Sequence, residues 1–128
     1  MEFDFVDHRL VIRVSDGSER TMRLEPRTVA DFYREVMTVL RAMELEVTIW
    51  PMPVEIPSPI RFEDDTEHGS YDPVFANRFW RVLVQVEEVF TRGRCAVIGK
   101  CSPTHFFRRS FDLAVTRFSG RPAPPRER

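Results

Sequence analysis

Lys100, Cys101, Ser102 and His105 fall within six residues of one another, in the segment Gly99-Lys100-Cys101-Ser102-Pro103-Thr104-His105. A thiol or hydroxyl nucleophile, an imidazole base and an ammonium group are the parts that covalent catalysis uses. Such partners are usually close in space and distant in sequence, and no third orienting group is identifiable. A structural loop is therefore the competing interpretation. Cys95 and Cys101 are the only cysteines, and their spacing matches no common zinc or redox pattern, so two reduced thiols are expected.

The acidic stretch Glu63, Asp64, Asp65 and Glu67 contains His68 and is followed by Asp72. Together with His8, His105 and Cys101 these are acceptable metal ligands, yet none stands at a recognised ligand spacing. No metal and no particular cofactor is indicated. Walker, dinucleotide-binding and nucleophile-elbow motifs are missing from the sequence, which removes support for ordinary nucleotide-loop and hydrolase functions.

A third chemistry comes from Lys100, Arg108, Arg109, Arg117 and Arg121, interleaved with Phe106, Phe107, Phe111 and Phe118. Arginines neutralise phosphates and exposed rings stack on bases, although alternating aromatics on a strand more often build a core. The charge is unevenly spread. Residues 1–88 sum to −8 and residues 89–128 to +7, within a net charge of −1. Either opposite charges meet in the fold, or the carboxyl-terminal part offers a basic face to an anionic partner.

These residues need elements to hold them. The 128 residues, 42% hydrophobic and 30% charged, can bury a core and do not describe a disordered chain or a coiled coil. No apolar run approaches the ~20 residues of a membrane span, and Met1-Glu2-Phe3-Asp4-Phe5 has no basic or apolar leader character. A cytoplasmic location is expected, with no membrane partner.

Phe3 and Phe5 alternate in one phase, Leu10, Ile12 and Val14 in the other. A strand cannot change phase internally, so a tight turn is placed at Asp7-His8-Arg9. Asp16-Gly17 marks a hairpin, and Thr21 to Leu24 returns as a third strand. Thr28 caps a helix with Asp31 three residues on. Val29, Phe32, Tyr33, Val36, Met37, Leu40 and Met43 form its buried face. Val47 to Trp50 is expected as a short strand, followed by a proline-punctuated edge. Asp72-Pro73 opens a second helix that runs to about Arg92 and ends at Gly93. Its polar stripe is so narrow that cover on more than one side is expected. Strands are placed at Cys95–Ile98 and Phe111–Phe118.

Several long words, among them Phe3-Asp4-Phe5-Val6-Asp7-His8-Arg9-Leu10, Trp50-Pro51-Met52-Pro53-Val54-Glu55-Ile56-Pro57, Ala76-Asn77-Arg78-Phe79-Trp80 and Gly99-Lys100-Cys101-Ser102-Pro103, resemble an uncharacterised bacterial family, the domain of unknown function numbered five-nine-nine-six. The stretch from Ser110 to Gly120 is similar too. The resemblance brings no activity or catalytic residue. It implies members longer at both ends, with this chain as their central portion. It also implies a second Gly-Lys and His-aromatic segment that would make the full protein a pseudo-repeat. Arg108-Arg109 stand where the resemblance leads one to expect Trp-Gly.

The fold class expected is α+β: an antiparallel sheet of about five or six strands with two long helices packed on it. One domain is placed at 1–120 and a disordered tail at 121–128. The leading functional expectation is a small-molecule pocket lined by the Gly99–His105 segment together with His68 and Asp72, catalysis being left open. Lys100 would bind an anionic group, His105 would move a proton and Cys101 would pack. The alternatives are an interaction module whose basic carboxyl-terminal face binds nucleic acid or a protein, and an inactive fragment. Self-association through an open sheet edge or the second helix is expected.

Overall fold

The computed structural model describes residues 1–54, 56–107 and 112–122. Arg108, Arg109, the first residue of the expected last strand (Phe111) and most of the expected tail lie outside these. The chain divides into two compact units, Met1–Arg78 and Phe79–Arg128.

In the amino-terminal unit β1 (Glu2–Asp4), β2 (Arg9–Arg13) and β3 (Glu19–Arg23) form an antiparallel sheet in the order β1-β2-β3. The phase slip is absorbed where expected. Asp4 Oδ1 accepts the amides of Val6 and Asp7 at 3.0 Å each, and His8 turns the chain with a φ of 52°. Gly17, at a φ of 90°, makes the second turn, a backbone region open to glycine.

Pairing of Phe3 with Leu10 and of Leu10 with Met22 sorts the sheet into two faces. Leu10, Ile12 and Met22 meet Met37 and Leu40 of α1 (Val29–Ala42) in the core. On the opposite face Arg13 links Glu2 and Glu19, and Arg9 joins Asp4. Val11 is buried on this charged face, where the register sets it between Arg9 and Arg13 and across from Glu2 and Thr21.

α1 begins at Thr28 as its sequence predicts, with the Asp31 amide donating to Thr28 Oγ1 at 3.1 Å. It ends with Glu44 left-handed, φ 57°, and with Glu44 and Leu45 amides returning to the carbonyls of Arg41 and Leu40. That is the two-bond helix stop usually given to glycine.

α2 (Pro73–Cys95) is the longest element. β4 (His105–Phe107) and β5 (Asp112–Ala114) form a second antiparallel pair in the carboxyl-terminal unit. The chain is thus α+β, but the described residues form sheets of three and two strands rather than a single sheet of five or six. Only α1 packs its face into a core, since no residue of α2 is buried. Leu83, Val86, Phe90 and Arg94, at three- and four-residue spacing along one side of α2, are half-buried, while Val82, Val84 and Val89 are exposed, so the cover expected on more than one side is not found among the described residues. Val47–Trp50 is not a strand; Pro51 and Pro53 follow, each lacking the donor a ladder needs. Cys95–Ile98 is not a strand either, because α2 runs through Gly93 to Cys95. One interior glycine costs a helix only about 1 kcal/mol, too little to stop it alone.

Candidate functional site

The acidic loop acts first as a cap. The Val29 amide donates to the His68 carbonyl and the Ala30 amide to the Asp65 carbonyl, both at 2.9 Å. With Thr28 Oγ1 on the Asp31 amide, all three amides at the start of α1 are satisfied, although they have no acceptor inside the helix. Asp65, 7% exposed, organises this loop. Its Oδ1 accepts the amides of Glu67 at 3.2 Å and His68 at 3.0 Å. The His68 amide in particular holds the carboxyl below its ordinary value against the opposing effect of burial. His68 Nδ1 also lies 3.0 Å from Asp65 Oδ1. A carboxylate only accepts, so Nδ1 carries the proton and Nε2 is left toward solvent. Gly69 passes so close that a Cβ there would stand 3.0 Å from the Arg27 carbonyl oxygen.

Asp72 caps α2. Its Oδ1 accepts the amides of Val74 at 2.8 Å and Phe75 at 3.0 Å, which commits the carboxylate to the helix end. Near it in sequence, Tyr71 shares a hydrogen bond of 2.9 Å with His8 Nδ1, and burial pushes its phenol above the ordinary range. Nothing in the sequence marks that pair, whose members are 63 positions apart. His68 and Asp72 belong to the amino-terminal unit, whereas Lys100, Cys101 and His105 belong to the other.

In the carboxyl-terminal unit the segment expected as a reactive loop is one leg of a ribbon. His105, Phe106 and Phe107 pair with Ala114, Leu113 and Asp112, and a further bridge joins Cys101 to Arg117. The Ser102 amide donates to the Thr116 carbonyl and the Phe118 amide to the Lys100 carbonyl. Ser102 Oγ donates to the Pro103 carbonyl at 2.8 Å and accepts the Thr116 amide at 2.9 Å. Its hydroxyl is therefore engaged with main chain rather than with His105. Lys100 and His105 are exposed and Cys101 is half-buried.

Between α2 and this ribbon lies a groove of about 540 Å³, in which Val89, Phe90, Gly93 and Arg94 of the helix face Cys101, Val115, Thr116 and Arg117. Beside Gly93 there is open space, since a Cβ there would meet nothing within 4 Å. Arg94 Nε is buried without a hydrogen-bond partner among the described residues. Of the residues singled out in the sequence, Cys101 and the basic-patch residue Arg117 are in the lining. Arg94 carries no local sequence signal, because its role depends on the ribbon folding across the helix. Among the described residues no cluster of three or more His, Cys, Asp and Glu side chains is placed to hold a metal ion. No helix among them is long and apolar enough to cross a membrane.

The fold and groove define a small α+β protein with separate antiparallel sheets and a basic cleft in its carboxyl-terminal unit. Over residues 1–128 the chain matches, and belongs to, the family of unknown function DUF5996. No curated protein and no solved structure matches it.

Proposed function

We propose that the carboxyl-terminal unit binds a small molecule with an apolar body and an anionic group in the groove between α2 and the ribbon. The observation that carries this reading is the buried Nε of Arg94, which has no hydrogen-bond partner among the described residues. A buried guanidinium N–H without an acceptor is uncommon in folded proteins, and arginine favours carboxylate and phosphate. Arg117 adds a second guanidinium to the lining, while Val89, Phe90 and Val115 supply apolar wall. The volume falls in the range of about 300–1,000 Å³ typical of ligand sites. Cys101 contributes packing surface, and Lys100 and His105 stand outside the lining.

Phenyl phosphate, hexanoate and inorganic phosphate at millimolar concentration, followed by thermal shift, test this. Phenyl phosphate should stabilise more than inorganic phosphate, by up to about 2.7 kcal/mol at a hundredfold excess over Kd. Arg94→Met and Arg117→Met should each remove the shift, with circular dichroism unchanged. Absence of any shift, or equal shifts in parent and Arg94→Met, overturns the reading.

A second reading concerns assembly. Phe79 and Val82, one turn apart on one side of α2, are 40% and 54% exposed, and contiguous apolar helix surface of this kind marks a contact site. We propose that copies of the chain associate through α2. Sedimentation at tens of micromolar should show an oligomer that Val82→Lys dissociates; a monomeric parent refutes this.

A further inference from the structure

From the ribbon the groove takes Cys101, Val115, Thr116 and Arg117, and the pairing sets a further group of side chains together. His105 and Phe107 stand opposite Ala114 and Asp112, so the four share a face. The rings of His105 and Phe107 lie 6.1 Å apart between centroids, and both residues are exposed. Phe118, further along the ribbon and 57% exposed, adds a third ring, and Phe107 is itself half exposed. Lys100, whose carbonyl holds the Phe118 amide, is exposed, as is Arg121. None of these residues lines the groove.

We infer that the exposed rings of this ribbon bind single-stranded nucleic acid. Flat exposed rings accept unstacked bases, which a duplex does not offer, and neighbouring cations neutralise the backbone. The net basic charge of the carboxyl-terminal unit favours an anionic occupant. Residues 79–128 hold ten Lys and Arg against four Asp and Glu. Asp112, directly across from Phe107, opposes phosphate and lowers affinity.

Fluorescence anisotropy with a labelled oligo-dT, compared with the matching duplex across a salt series, tests the assignment. The single strand should bind more tightly than the duplex. Phe107→Ala and Phe118→Ala should each weaken it by about tenfold, and Lys100→Ala should reduce the salt slope by about 0.7. Asp112→Asn should tighten binding. Phe107→Leu, which keeps apolar volume without a flat ring, should bind like Phe107→Ala, and Phe107→Trp should bind like the parent. Arg94→Met should retain the oligonucleotide, which separates these rings from the groove. Equal binding of duplex, no binding at low salt, parental binding by Phe107→Leu, or loss in Arg94→Met overturns the inference.

Discussion

Gly69→Ala and Gly93→Ala should change stability in opposite directions. At Gly69 the added Cβ would stand 3.0 Å from the Arg27 carbonyl oxygen, 3.2 Å from its carbon and 3.3 Å from the Thr28 nitrogen. All three are backbone atoms, so the loop itself must withdraw. It carries the carbonyls that accept the Val29 and Ala30 amides at 2.9 Å. Each such bond contributes about 0.5–1.5 kcal/mol net, so losing both costs about 1–3 kcal/mol. For a unit of this size the melting temperature falls on the order of 10 °C. Gly93 is inside α2 with open space where its Cβ would go, and alanine there adds about 0.5–1 kcal/mol. Urea unfolding followed by far-ultraviolet circular dichroism measures both changes. Hydrogen exchange at Val29 and Ala30 locates the first. A Gly69→Ala variant within about 0.5 kcal/mol of the parent, with both amides still protected, refutes the account of the loop as a cap.

Acid should loosen the same cap. The Asp65 carboxyl is held below its unfolded value. Its contribution is therefore complete above the unfolded pKa of about 3.9 and is lost as pH falls through the lower folded value. Subtracting the pH–stability curve of Asp65→Asn from the parent's should show that difference disappearing in this window; a constant difference refutes it. Ile12→Ala, at a core position 1% exposed, should cost about 2–5 kcal/mol by denaturant titration. Thr28→Ala removes the acceptor of the Asp31 amide and should cost about 1 kcal/mol in the same measurement.

Much of the amino-terminal unit was legible residue by residue. The phase change between Phe5 and Leu10, the Asp16-Gly17 turn, Thr28 and the apolar spacing of α1 each act over a few neighbours, so pattern and local chemistry determine them. Asp72 before Pro73 marked the start of α2 for the same reason. Its end was not legible, because glycine weakens a helix without terminating it. What only tertiary structure decided depends on segments distant in sequence. The prolines after Trp50 forbid a ladder locally, but the division of five strands into two sheets follows from which strands found partners. That the Asp65 and His68 carbonyls accept the amides at the start of α1 depends on two segments far apart in the chain meeting, which no local pattern shows. The buried Nε of Arg94, without a hydrogen-bond partner among the described residues, was also decided by tertiary structure, since burial of an atom is a property of what surrounds it and not of its place in the chain.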